Sequence, residues 1–207
     1  MNRPPRTTVS ESSLVLMGVP KKFARYTIDD YIPYEGVAEV KEYVKRDFLG
    51  NLAQHLDRGD GIFMCGSNGV GKSMLSCIIL KEVYRLRYSC RRVTFSSYID
   101  RYTESWKSHD RKETDTLESD LYGEYKGVDF LVLEEVGKEI DSKIAKPILE
   151  DLLRYREEQS LSTVICSNLS PKDFVEYYGN SVRSLVNGSM VLLEIVAKDR
   201  RYESDED

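Results

Sequence analysis

The most specific chemical signal in the chain is the loop Gly66-Ser67-Asn68-Gly69-Val70-Gly71-Lys72-Ser73, which fits the spacing G-x-x-x-x-G-K-[ST]. Its three glycines let successive backbone N–H groups curl around an anion. A helix opening near Lys72 would aim the positive end of its dipole at the same point. An ammonium beside a hydroxyl completes the chemistry a nucleoside triphosphate requires: Lys72 neutralises the β and γ oxygens, and Ser73 ligates Mg2+. The expected nucleotide-binding set is Gly66, Ser67, Asn68, Gly69, Val70, Gly71, Lys72, Ser73 and Met74. A mere glycine-rich turn is the competing reading. The apolar run 62–65 before the loop and the helically spaced Leu75, Ile78 and Ile79 after it argue against that, because strand, loop and helix is the context the motif needs.

Such a site needs a second strand that delivers a carboxylate to the metal, and Phe130-Leu131-Val132-Leu133-Glu134-Glu135 supplies one. Glu134 is expected to hold Mg2+ with Ser73, through the metal's water, and Glu135 to polarise the attacking water. Asn168, just past the apolar run 163–166, is expected to sense the γ-phosphate or orient the water; the competing reading is a turn cap before Ser170-Pro171. Arg183 stands where an arginine would enter a neighbouring copy's site and neutralise the transition state, against the alternative of a surface arginine. Between Tyr84 and Lys112 eight basic residues face three acids, with tyrosines and Trp106 interleaved. Cations and flat rings so mixed suit single-stranded nucleic acid, and Arg91, Arg92, Tyr98, Arg101 and Lys107 are the expected contacts. A solvated helix face with its rings packed inward is the alternative.

Elements that position these groups follow from periodicity. Apolar residues from Val37 to Leu56 recur at helical intervals and predict one amphipathic helix, stopped by Arg58-Gly59-Asp60-Gly61. Strands are expected at 62–65, 93–95, 128–133, 163–166 and 190–196. Helices are expected after the glycine loop, from Ser97 to about Lys107, over 143–158 with Pro147 in the first turn, and over 171–178 after Ser170. Residues 113–124, with five acids and no base, read as an exposed acidic loop. Buried apolar strands alternating with helices indicate a parallel sheet covered on both faces.

The 207 residues carry 30 Lys plus Arg against 35 Asp plus Glu, a net charge of −5, so any contact with phosphate must be local. Four of the negative charges lie in the last five residues. The four cysteines form no C-x-x-C pair and read as small buried hydrophobes in a reducing cytosol. No run approaches the ~18 apolar residues of a membrane span, and the first fifteen have no apolar signal core. A flexible N-terminal arm (1–17), polar over residues 1–13, one ATPase domain (18–198) and an acidic tail (199–207) are the expected organisation, in the cytoplasm and without a membrane.

The series GSNGVGKS, FLVLEEVG, TVICSNLSP and YGNSVRSLVNG, preceded by Gly18-Val19-Pro20-Lys21-Lys22-Phe23, resembles the AAA+ ATPases of the DnaC/DnaI helicase-loader and IstB transposition-helper group. The resemblance covers about residues 18–196. It implies an α/β P-loop NTPase of the ASCE type, with a central parallel five-stranded sheet flanked by helices. It also implies ATP and Mg2+ at a subunit interface, self-assembly into a ring or spiral, binding to single-stranded DNA, and a replicative helicase as partner. By matching position, Lys72 and Ser73 fall in Walker A, Glu134 and Glu135 in Walker B, Asn168 at sensor 1 and Arg183 near the arginine finger. Two departures stand out: Glu134 replaces the group's Asp, and only some 17 residues precede Gly18 where loaders of this group carry an N-terminal helicase-binding or helical domain. The compact size would suit a bacterial phage or mobile element. An ATPase accessory of DNA replication is the function expected, with the IstB-like helper, a small nucleotide kinase and a non-hydrolysing adaptor as alternatives.

Overall fold

The computed structural model describes residues 9–33, 37–107, 110–139 and 143–196. Five strands form its sheet: β1 (Gly61–Cys65), β2 (Cys90–Thr94), β3 (Phe130–Val136), β4 (Ser162–Ser167) and β5 (Met190–Glu194). All neighbouring pairs are parallel, in the order β2-β3-β4-β1-β5. This is the expected parallel sheet, and β4 stands between β1 and β3. The strand that launches the glycine loop and the strand that carries the two glutamates are therefore not adjacent, and the end of β4 lies in the gap.

Because side chains alternate across a strand, each strand feeds two cores. On one face Ile62, Met64, Phe130, Val132, Val164 and Cys166 pack with Leu75, Ile78, Ile79 and Val83 of α4 (Lys72–Arg85). Also on that side are α1 (Glu11–Met17), α2 (Ala38–Glu42) and α3 (Leu52–Arg58). On the other face Phe63, Leu131, Leu133 and Ile165 meet α5 (Phe95–Lys107), α7 (Ala145–Glu158) and α8 (Pro171–Ser189), with α6 (Arg111–Leu121) packed on α5. None of the described helices is long and apolar enough to cross a membrane.

Several expectations change. The single helix over 37–56 is broken into α2, a π-helical turn at Tyr43–Phe48 and α3. Its buried Val44, Phe48, Leu52 and Leu56 recur every four residues, a spacing that drifts around a 3.6-residue helix, and the wider turn takes up the drift. The helix after β2 starts at Phe95, and the cap is Thr94, whose Oγ1 accepts from the Ser97 N–H at 3.3 Å. The acidic stretch is no loop: Asp110 caps α6 by accepting from the Lys112 and Glu113 N–H groups, and a further π turn at Tyr122–Lys126 follows. The helix after Ser170 continues past Tyr178 to Ser189, with a break at Gly179 (φ 85°, ψ 177°). Within the N-terminal arm, residues 11–17 are a folded helix on the body. Met17 is buried, Ser13 Oγ lies 2.8 Å from the Tyr84 hydroxyl, and the Arg91 guanidinium donates to the Leu16 carbonyl. Residues 1–8 of the arm and the acidic tail from 197 lie outside the described residues.

One polar group is deeply built in. Arg156 of α7 is fully buried and donates to Thr163 Oγ1 and to the carbonyls of Val128 and Ser162, at 2.6 to 2.8 Å, with further donation to Tyr125 and Lys126. Burial lowers its guanidinium to about 9. The planar fork ties together the backbone entering β3 and β4, at the end of the sheet where those strands begin.

Candidate nucleotide site

The glycine loop is built by close packing. Gly66, Gly69 and Gly71 all have positive φ, at 148°, 79° and 102°. A Cβ at Gly66 would lie 2.2 Å from the Ile195 carbonyl oxygen, and one at Gly71 would lie 2.9 Å from the buried Tyr31 ring. Only glycine fits either place. Gly71 precedes the first turn of α4, and no side chain caps that end, so the opening N–H groups of a 14-residue helix are left facing the loop.

Lys72 folds back into this cradle. It is 8% exposed, and its Nζ donates to Gly66 O at 2.7 Å, Ser67 O at 2.8 Å and Asn168 Oδ1 at 2.8 Å. Burial is the main force lowering its pKa below the usual lysine range. Asn168 lies beyond the end of β4, so the central strand brings it to the loop across a separation of 96 residues. Ser73, one residue along α4, donates from Oγ to Glu134 Oε2 at 2.7 Å. Glu134 is 2% exposed, and its other oxygen, Oε1, accepts from Ser76 Oγ at 2.6 Å and from Arg92 Nε at 3.3 Å. A hydroxyl and a carboxylate oxygen side by side are the hard donors that Mg2+ takes when phosphate and water complete its shell, so these residues fit that ion.

Glu134 and Glu135 are adjacent yet face different ways. Pairing between β3 and β4 shifts register between Leu133 and Val136, and Glu135 sits in that irregularity with φ +64°, its side chain half exposed and paired with Lys138 Nζ at 2.7 Å. A bulge re-aims one side chain relative to its neighbour. Here Glu134 points inward to Ser73 while Glu135 turns outward, which keeps the second carboxylate available to a water outside the sheet.

Arg183 is not part of this cluster. After the Gly179 break, Val182, Leu185 and Val186 are buried against the body and Arg183 faces solvent with no ion pair or hydrogen bond to the described residues.

The expected nucleic-acid contacts are largely taken apart. Tyr98 is fully buried, flanked by Phe95 and Tyr125, so it has no face to offer a base. Arg92 is committed to Glu134 and to the Gly18 carbonyl at 3.3 Å, and Arg91 to Leu16 and Glu124 carbonyls. Arg101 pairs with Glu104 and Glu124. Lys107 remains exposed, beside an exposed Trp106. Arg91 and Arg92 are both half-buried on β2, on opposite faces of the strand, and both are held by contacts within the fold.

Two residues of the site escaped the sequence reading. Ser76 lies three residues after Ser73 on one helical face, a spacing that could have disclosed it. Arg92 reaches Glu134 only because β2 pairs with β3 so that Thr94 stands opposite Glu134, which no local pattern reveals.

No family profile matches the chain. Among characterised proteins, the replicative helicase loader DnaC of Escherichia coli (strain K12) is 22% identical over 77% of this chain and 60% of its own length. The replicative helicase loader DnaI of Bacillus subtilis (strain 168) is 28% identical over 68% of this chain and 51% of its own. The chain thus matches only about half to three-fifths of these relatives. Among solved structures, a crystal structure of the DnaC helicase loader superposes with a TM-score of 0.71 at 23% identity, covering 85% of this chain and 99% of that one. The replication initiator DnaA bound to AMPPCP and single-stranded DNA superposes at 0.65 and 22% identity, covering 84% of this chain and 51% of that one. The similarity to DnaC and DnaI loaders read from the motifs is therefore present in sequence, and the fold is that of the AAA+ P-loop proteins.

Proposed function

We propose that this chain is an ATP-hydrolysing, helicase-loader-like accessory of bacterial DNA replication, working in the cytosol on a replicative helicase and single-stranded DNA. The observation that carries the reading is the convergence of Lys72 and Ser73 from the start of α4, Glu134 from β3 and Asn168 from the turn after β4, at the carboxyl ends of β1, β3 and β4. The similarity to DnaC and DnaI loaders supplies the helicase, and the DnaA neighbour, titled as bound to AMPPCP and single-stranded DNA, supports the nucleotide and the DNA.

In this reading residues 66–74 hold the triphosphate, with backbone N–H groups on its oxygens and the Lys72 ammonium transferred from the loop carbonyls to the β and γ oxygens. Ser73 and Glu134 hold Mg2+, which when bound neutralises charge on the phosphates. Glu135 orients a water and takes its proton as the oxygen attacks the γ-phosphorus and the bond to ADP breaks. Asn168, released from Lys72, orients that water or the γ-phosphate. Arg183 reaches the site of a neighbouring copy in a ring or spiral, where its positive charge stabilises the transition state.

The test measures ATP hydrolysis with and without single-stranded DNA, beside the size of the particle with and without ATP. ATP-dependent assembly and DNA-stimulated turnover are expected. Mixing Arg183→Ala with Lys72→Ala protein should restore part of the activity that each lacks alone. A protein that neither binds ATP nor changes size with it would refute the reading, and absence of rescue would refute the shared site.

A further inference from the structure

Glu134 is buried, and a carboxylate taken out of water needs a compensating cation as well as donors. Its single ion pair among the described residues is with Arg92, on the neighbouring strand β2 and 16% exposed at its side chain. The two oxygens of Glu134 are divided. Oε2 faces Ser73, while Oε1 is taken by Ser76 and by the Arg92 Nε. The guanidinium keeps a second anchor, since Nη1 donates to the Gly18 carbonyl at 3.3 Å. Gly18 is locked in place: it has φ +77°, and a Cβ there would stand 2.5 Å from the Arg92 carbonyl oxygen. Arg92 can therefore give up Glu134 without losing its place in the fold.

We propose that Arg92 is the resident counter-cation of Glu134 and competes with the divalent ion for that carboxylate, so that it sets how much metal the nucleotide site requires. The proposal rests on the reading of Ser73 and Glu134 as the metal pair. Two cations about one carboxylate repel, and in a site largely closed to water that repulsion is weakly screened. A cation retained only for packing would, on removal, weaken the site. A competing cation would, on removal, strengthen its hold on metal, and this difference of sign separates the two roles.

The probe is a fluorescent ATP analogue titrated in excess Mg2+ and again in EDTA, and the readout is the ratio of the two affinities. That ratio measures what the metal adds and needs no turnover. Arg92→Ala should raise the ratio by about tenfold, as expected for loss of one nearby like charge in a partly screened site. Arg92→Lys, which keeps the charge, should leave it within about twofold of the native value. Glu134→Gln should remove the effect of Arg92→Ala, because nothing remains to compete for. Arg92→Gln, with similar length and an amide donor, gives the same readout should Arg92→Ala fail to fold. A ratio unchanged or lowered in the folded Arg92→Ala or Arg92→Gln protein overturns the proposal while leaving the ATPase reading intact. A native protein whose affinity is the same with and without Mg2+ overturns the metal pair and this proposal together.

Discussion

Replacing Lys72 with Met separates what this side chain does for the fold from what it does for a nucleotide. Methionine keeps most of the apolar stem and drops the ammonium. The ammonium makes three short hydrogen bonds, to Gly66 O, Ser67 O and Asn168 Oδ1, which offset the cost of its burial. That cost is visible as the lowered pKa. The two contributions oppose each other, so Lys72→Met should change stability by no more than about 1 kcal/mol. Because the folded pKa lies below the unfolded one, the buried charge opposes folding at neutral and lower pH, and the penalty fades as pH rises through the folded value towards the ordinary 10.5. Any advantage of the Met protein should therefore be largest near neutrality and shrink in alkali. For ATP the balance differs. A charge-assisted contact to phosphate is worth about 1.5–3 kcal/mol, reduced by the three acceptors Lys72 must give up, so affinity should fall about 10- to 100-fold. Calorimetric titration of ATP, beside thermal melting across pH, reads both numbers. Affinity within twofold of native in a folded Lys72→Met protein would refute the assignment of the loop.

Glu135→Gln should bind ATP within about twofold of native yet lose about 100-fold or more in single-turnover hydrolysis, as removal of a general base does, and full turnover would remove Glu135 from that role. Tyr98 buries a hydroxyl that has no hydrogen-bond partner among the described residues. Tyr98→Phe should therefore stabilise the protein by about 1 kcal/mol, a rise of roughly 2–4 °C in melting temperature; a lower melting temperature would contradict the burial argument. Burial pushes the thiols of Cys65 and Cys77 up to about 11, that of Cys90 up to about 12, and that of Cys166 well up. At pH 8 about 0.1% or less of any of them is thiolate, so Ellman's reagent should react only as the protein unfolds; prompt labelling of the native protein would count against the packing.

Local pattern carried far in this chain because the site's chemistry is partly local. A glycine loop that wraps a phosphate must be contiguous, since its N–H groups are successive, and a strand buried on both faces must be an apolar run ending where its ligands begin. Residues 66–73 and 130–135 meet those demands in the sequence itself, and β1, β3 and β4 were legible for the same reason, whereas β2, half-buried and carrying two arginines, showed only its last residues. Helix 37–56 was not, because spacing every four residues fits a π turn as well as a straight helix until neighbours choose. The direction of Glu135 depended on a register shift against β4. Composition grouped Arg91 with Arg92, yet neighbours on a strand point to opposite sides, and only the pairing of β2 with β3 sends Arg92 to Glu134. Placing β4 between β1 and β3, and with it Asn168 on Lys72, and placing β2 beside β3, and with it Arg92 on Glu134, belonged to tertiary structure alone: these contacts join residues 96 and 42 positions apart, and only strand order sets which of them meet.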